Sequence, residues 1–359
     1  MSRKAQNSLL IKAKKNKNDE FYTQLSDIER ELQYYKNHFK NKIVYCNCDD
    51  PRVSNFFKYF KLNFKELGIK KIITAYYRQQ NTDLFNNEKV EKGFFFEYTG
   101  FENENKIKYF NGDGDFRSKE SIELLKQADI VVTNPPFSLF REYIAQLIKY
   151  DKNFLTIGNI NAITYKEIFQ IIRKNKAWLG INMGRGISGF IVPKHYELYG
   201  TETKIDDFGN RIVSPNNCLW LTNLNNFKRH EDIPLTKKYY GNEAEYPFYD
   251  NYNAINVNKT KDIPLDYEGV MGVPITFLHK FNPEQFEIIK FRKGNDEKDL
   301  SINGKCPYFR ILIRNKRIQT KMHNKTLELT SEPIIEKSNI NDIAYIPDIP
   351  ILAKQTVHL

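Results

Sequence analysis

Residues 129–137 read Asp-Ile-Val-Val-Thr-Asn-Pro-Pro-Phe: four consecutive β-branched residues, then a polar residue and two prolines. A short β-branched run with no polar alternation is what a strand covered on both faces needs, and such strands belong to parallel sheets packed between helices. The prolines end the ladder, because proline has no N–H to donate. Upstream, Ser118 is placed to cap a helix running to Ala128. Downstream, the pattern predicts a helix over 139–149 and a strand over 153–157. Thr164 and Glu167 have capping-box spacing, which predicts a helix over 165–174.

The same alternation extends towards the N-terminus. A helix is expected over 25–39 and a strand over 43–47. A helix over 54–67 then carries Phe56, Phe57, Phe60 and Phe64 on one side. Strands follow over 72–77 and 106–110, with a hairpin around Phe94 and Tyr98 in the aperiodic stretch between them. Repeated strand–helix alternation implies an α/β fold with a mostly parallel sheet and helices on both faces. The runs 190–193 and 218–223, separated by the turn signal Asp207-Phe208-Gly209-Asn210, predict an antiparallel hairpin at the sheet edge. After residue 226 the chain becomes rich in Tyr, Asn, Lys and Pro, so a boundary is expected there. The organisation read from the chain is a basic arm over 1–18, an α/β unit over 19–225 and a second region over 226–359.

The 359 residues hold 55 Lys and Arg against 44 Asp and Glu, a formal charge of +11. That excess suits a polyanionic partner, because each neutralised phosphate releases condensed counterions. Arg3, Lys4, Lys12, Lys14, Lys15 and Lys17 form an arm without acids that could follow phosphates or remain solvated. No apolar run reaches the roughly 18 residues of a membrane span, and the basic start lacks a signal-peptide core, so a cytoplasmic protein is expected. Cys46, Cys48, Cys218 and Cys306 are too few and scattered for zinc knuckles, and the six histidines show no ligand spacing. No metal is expected.

In a doubly wound sheet, ligands bind beyond the carboxyl ends of strands where the strand order reverses. Two polar clusters occupy such ends: Asn47-Cys48-Asp49-Asp50-Pro51-Arg52 and Asn134-Pro135-Pro136-Phe137. If the first and fourth strands flank the reversal, both clusters face one crevice. The Asn134 amide oxygen and the Pro135 carbonyl can accept two hydrogens from an exocyclic amino group. Consecutive prolines present carbonyls rather than donors, and Phe137 offers a ring for stacking on a base.

The stretch from Asp129 to Phe140 resembles the catalytic motif of N6-adenine DNA methyltransferases. Taken with residues 19–24, 45–55 and 111–117, it is most similar to the EcoRI-type adenine-specific modification methyltransferases. The resemblance is strongest between residues 19 and 170. It implies a Rossmann-like S-adenosylmethionine-dependent methyltransferase sheet with an edge β-hairpin, followed by a C-terminal DNA-recognition region. It implies catalytic roles for Asn134, Pro135, Pro136 and Phe137. Cofactor contacts are implied for Phe21, Tyr22 and Thr23, for Asn47, Cys48, Asp49, Asp50 and Pro51, and for Asp113, Asp115 and Phe116.

Asp49, Asp50 and Pro51 stand where most methyltransferases carry glycines, and Tyr76 and Tyr77 stand where an acid for the ribose is usual. Double-stranded DNA is the implied substrate, with Lys14, Arg185, Lys194, Lys228, Arg229, Lys237, Arg310 and Arg314 as candidate contacts. The last two belong to a strand expected to carry one basic face. A partner restriction endonuclease, a monomeric enzyme and the site GAATTC are also implied. Two other readings use the same motif: methylation of RNA or of a protein glutamine, and a catalytically silent DNA-binding protein.

Overall fold

The computed structural model describes residues 22–78, 92–101, 107–182, 187–192, 203–207, 209–213, 217–292, 300–306 and 309–318. The arm over 1–18, with Lys14, and the candidates Phe21, Arg185 and Lys194 lie outside the described residues.

The largest sheet has eight strands: β1 (Ile43–Cys46), β2 (Lys71–Tyr76), β3 (Phe94–Tyr98), β4 (Ile107–Tyr109), β5 (Ile130–Thr133), β6 (Asn153–Asn159), β7 (Trp178–Leu179) and β8 (Cys218–Thr222). Their order is β4-β3-β2-β1-β5-β6-β8-β7. The four central strands β2, β1, β5 and β6 are parallel, and both flanks are antiparallel. The first strand therefore lies directly beside the strand that ends in the Asn-Pro-Pro-Phe turn, with Tyr45 opposite Val131.

Five helices are described: α1 (Leu25–Leu32), α2 (Asn55–Leu62), α3 (Lys119–Gln127), α4 (Phe140–Lys149) and α5 (Lys166–Arg173). Side chains alternate across a strand, which sorts the core into two clusters. Val44, Ile72, Ile130, Val132, Leu155 and Ile157 meet Ile28 and Leu32 of α1 and Phe56 and Phe60 of α2. On the other face Tyr45, Ile73, Val131 and Phe154 meet Leu124, Leu125, Phe140, Tyr143, Ile144 and Leu147 from α3 and α4. Each wholly buried phenylalanine or leucine here contributes about 1.5–3 kcal/mol.

Local signals explain the helix starts. The Ser54 hydroxyl accepts from the N–H groups of Phe56 and Phe57, and the Ser118 hydroxyl from that of Ser121. The capping box at Thr164 and Glu167 does not form. The Thr164 hydroxyl instead donates to the Asn161 carbonyl, closing a 3-10 turn ahead of α5.

The expected edge hairpin is corrected. Cys218–Thr222 does not pair with Phe190–Val192 but lies inside the sheet, between β6 and β7. All five of its residues are buried, which an edge position with one solvated face would not allow. Phe190–Val192 belongs to a separate four-stranded sheet with Tyr22–Thr23, Arg211–Val213 and Thr203–Ile205. The hairpin that does edge the main sheet is β3–β4, at its opposite end.

Beyond residue 226 a third sheet forms, in the order Phe248–Tyr249, Tyr252–Asn256, Met271–Pro274, Arg310–Asn315, Phe286–Arg292. Its apolar face is continuous with the α3–α5 side of the main core. Ile255, Met271, Phe286, Ile311 and Ile313 join that cluster, and the Phe291 ring stacks on Phe169 of α5 at 4.9 Å.

Gly158 in β6 lies under the ring of Phe140, the first residue of α4. A Cβ at position 158 would stand 2.5 Å from that ring. Gly158→Ala is expected to cost about 1–3 kcal/mol by overpacking and to shift the Asn134–Phe137 turn. A lowered denaturant midpoint together with reduced methyl transfer would show it. An unchanged midpoint would mean that the Phe140 ring moves aside freely.

Candidate active site

At the carboxyl end of β1 the chain turns through Asn47 to Ser54, and side chains rather than glycines hold this turn. The Asp49 N–H donates to the Ala75 carbonyl at 3.0 Å, and the Thr74 hydroxyl donates to the Asp49 carbonyl at 2.6 Å. The loop is thereby sewn to β2. The Asp49 carboxylate accepts from the Ser54 hydroxyl at 2.8 Å and from the hydroxyl of Thr133, the last residue of β5. One side chain thus bridges the two strand ends that carry the polar clusters.

Burial pushes the Asp49 carboxyl up to about 6, the hydroxyls of Thr133 and Ser54 work against that rise, and neighbouring Asp50 adds to it. Asp50 has a different environment. Its carboxylate accepts from the N–H of Arg52 and from its guanidinium at 2.6–3.1 Å. Of the two acids, Asp50 carries a cationic partner and Asp49 does not, among the described residues. The Asn47 amide oxygen accepts from the buried Tyr143 hydroxyl. Burial pushes the Cys48 thiol up, so Cys48 is a packing residue in this loop rather than a thiolate.

The Arg52 guanidinium lies 4.9 Å from the Phe94 ring centre and 5.5 Å from that of Tyr76, and its charge also interacts with Tyr22. An aromatic wall and an arginine therefore stand at the end of β2, where an acid is usual in related folds. Next to it runs the segment from Asn111 to Arg117. Gly114 has φ +81°, and a Cβ there would lie 2.7 Å from the Tyr76 carbonyl, so only glycine fits. The Asp113 carboxylate accepts from the Asp115 N–H at 3.0 Å. Partial burial alone would raise the Asp115 carboxyl, but hydrogen bonds from Arg117 hold it below the usual range. Its charge reaches Cys48, which sets this segment against the first loop. Phe116 is 5% exposed and meets Tyr143 edge-on at 5.2 Å, so its ring forms the floor of this region.

Asn134 to Phe137 leaves β5 as a turn closed by the Leu139 N–H donating to the Pro136 carbonyl at 3.0 Å. Pro135 is buried, while Asn134, Pro136 and Phe137 are half-buried. The Phe137 ring lies 6.0 Å from Phe190, edge-on. Phe190 pairs with Thr23, whose carbonyl accepts from the Asn55 side chain at the start of α2. Tyr22 and Thr23, the first loop and the Asn134 turn are thus linked through direct contacts. Residues 9–316 match the family described as adenine-specific methyltransferase EcoRI.

The chain belongs to the EcoRI adenine-specific methyltransferase family.

It is 70% identical over 326 residues to the type II methyltransferase M.EcoRI of Escherichia coli, covering 89% of this chain and 100% of that protein. It is 39% identical to the type II methyltransferase M.MpnI of Mycoplasma pneumoniae, covering 85% of this chain and 98% of that one. A type II methyltransferase of Mycoplasma genitalium is 38% identical, covering 86% and 98%. No solved structure matches. The chain is accordingly an S-adenosylmethionine-dependent, adenine-specific methyltransferase.

The basic candidates of this EcoRI-family enzyme divide sharply. Lys237 is exposed. Arg314 is half-buried, 3.7 Å from Glu287. Lys228 turns inward, donating to the Ile181 carbonyl at 2.9 Å and meeting His279 at 2.6 Å, and burial lowers its pKa. Arg229 lies 3.5 Å from the Trp178 ring centre and donates to Asn175. Arg310 is a correction. It is 4% exposed and donates to the Asn256 amide oxygen at 3.0 Å, within a strand covered on both faces, and so cannot reach a phosphate.

Arg52, Ser54, Thr133, Tyr143 and Phe94 were not among the candidates read from sequence. Ser54 and Thr133 had a usable signal, since both are hydroxyl residues flanking the two polar clusters. Arg52 stood in the first polar cluster without an assigned role, and Tyr143 and Phe94 had no signal, because they reach the site only through tertiary packing.

Proposed function

We propose that this methyltransferase modifies the N6 amino group of adenine in duplex DNA, at GAATTC, as the modification partner of a restriction endonuclease. It acts as a cytoplasmic monomer. In this reading the main sheet is the Rossmann-like cofactor platform within a catalytic region over 19–225. Residues 226–359 form the DNA-recognition region, and the basic arm over 1–18 follows phosphates.

The observation that carries the site reading is the Asp49 bridge between Ser54 and Thr133, which sets the acidic loop and the Asn134 turn side by side at adjacent parallel strand ends. The residues at this edge suit S-adenosylmethionine. A buried carboxylate without a cationic partner among the described residues, Asp115 nearby and the aromatic rings of Tyr76 and Phe94 fit a ligand with an ammonium, a sulfonium and an adenine ring. When bound, S-adenosylmethionine supplies an electrophilic methyl group.

Asp49 holds the cationic end, and Asp50 stays neutralised by Arg52. Asn134 and the Pro135 carbonyl accept the two hydrogens of the adenine amino group. This localises the nitrogen lone pair and aims it for in-line attack. Phe137 stacks on the flipped base. Positioning and electrostatics carry the rate, without a general base at the first step.

The test is transfer of a labelled methyl group to duplexes that carry or lack GAATTC, with RNA and protein offered in parallel. The expected product is N6-methyladenine in GAATTC and protection from cleavage at that site. Label in RNA or protein with the duplex unlabelled would overturn the reading.

A further inference from the structure

Asn159 closes β6, one strand beyond the catalytic turn, and is 9% exposed. Its Oδ1 accepts from the Asn161 N–H at 2.9 Å and so caps the following 3-10 turn. That bond also fixes which way the amide faces, because a backbone N–H can only donate. The Nδ2 group is left buried and, among the described residues, without a hydrogen-bond partner. A buried donor in that state is costly unless something arrives to accept from it.

Its place in the sheet indicates what arrives. Gly158 faces the Phe140 ring, so its neighbours Ile157 and Asn159 face the opposite side. On that side Ile130 and Val132 of β5 and Leu155 and Ile157 of β6 form adjacent columns, and the same cluster takes in Phe190 and the flank of Phe137. β5 and β6 run parallel, with Thr133 opposite Thr156. Asn159 therefore continues its column past the end of β5, on the face that leads to the Phe137–Phe190 pair.

We propose that Asn159 Nδ2 donates a hydrogen bond to a ring nitrogen flanking the amino group of the target adenine, and so acts as a specificity-determining residue. This rests on the site reading above, in which Asn134 and Pro135 take the amino hydrogens. Adenine presents acceptors, N1 and N7, on either side of N6. Those are the complement of an amide N–H beside two carbonyl acceptors. On the N1 side guanine offers an N–H instead of an acceptor, which would oppose the same donor; on the N7 side it offers the same acceptor, and its O6 in place of the amino group would oppose the two carbonyl acceptors.

Asn159→Asp keeps the shape and the oxygen that caps Asn161, and replaces the donor by a second acceptor oxygen that carries charge when ionised. The experiment measures single-turnover methylation by native enzyme and by Asn159→Asp on duplexes whose target base is adenine, 1-deazaadenine or 7-deazaadenine. Deaza substitution also alters the amino group itself, but equally for both proteins, so the ratio between them isolates the contact. The native enzyme is expected to lose at least about tenfold more than the variant on one of the two analogues. The variant is expected to be slower than native on adenine by about 10- to 100-fold, with cofactor affinity unchanged. Equal sensitivity of the two proteins to both analogues would overturn the Asn159 contact and leave the site reading intact. Failure of the native enzyme to methylate adenine in DNA would sink both.

Discussion

Asn134→Ala is expected to leave duplex binding nearly unchanged and to lower the single-turnover rate of methyl transfer about a thousandfold. The expectation follows from where the side chain acts. The adenine amino group is a weak nucleophile because its lone pair is delocalised into the ring. In the proposed arrangement two acceptors at the turn after β5 would oppose that delocalisation as the nitrogen pyramidalises, and alanine would remove one of them. Loss of a single preorganised polar contact of this kind costs about 10²–10³ in rate. The Pro135 carbonyl, the Phe137 ring and the DNA contacts all remain, so binding and transfer should separate cleanly. Comparable losses in a gel-shift titration and in the transfer rate would show that Asn134 acts through DNA affinity instead.

A second substitution separates stability from activity. The rise of the Asp49 carboxyl from its ordinary 3.8 to about 6 means that the folded protein holds this proton more tightly than the unfolded chain. The associated stability is present at acid pH and is lost as pH rises through about 6, a difference of roughly 3 kcal/mol. Above that pH the enzyme keeps a buried carboxylate at a cost to its fold. Asp49→Asn removes the charge while retaining the shape. It is expected to stabilise the protein at neutral pH by up to about 3 kcal/mol and to weaken S-adenosylmethionine binding about 10- to 100-fold, the worth of a charge-assisted hydrogen bond. Native cofactor affinity should also fall as the pH drops below about 6, and the variant should not follow. Calorimetric melting and cofactor titration on either side of that pH test both halves. A destabilised variant with full affinity would place the cofactor's charge elsewhere.

Much of the central sheet was readable because its signals are local. The β-branched run before Asn134, the serine caps at 54 and 118 and the alternation of strand and helix each depend on a few neighbouring residues, and β1 and β5 do lie side by side. Pairing across long separations was less accessible. The runs at 190 and 218 both have strand composition, and periodicity says nothing about the partner of either. The complete burial of Cys218–Thr222 follows from lying between two strands. Arg310 misled for a related reason, since period-two reasoning assumes one solvated face, and the strand Arg310–Asn315 lies inside its sheet with both faces covered. At the site, the two polar clusters were visible as segments. The hydroxyl–carboxylate bridge joining them was not, because Asp49 and Thr133 are 84 residues apart.

The apolar face shared by the third sheet and helix α5 bears on how such an enzyme could acquire a new target sequence. A graft made at residue 226 would cut through a continuous hydrophobic core, exposing Phe169 on one fragment and Phe291 on the other. The region beyond residue 226 is therefore not an exchangeable cassette, and the proposed recognition function could not be moved with it alone. A chimera has to carry the aromatic seam with it, and retargeting by changes to side chains outside that seam should keep the protein folded where exchange of whole regions would not.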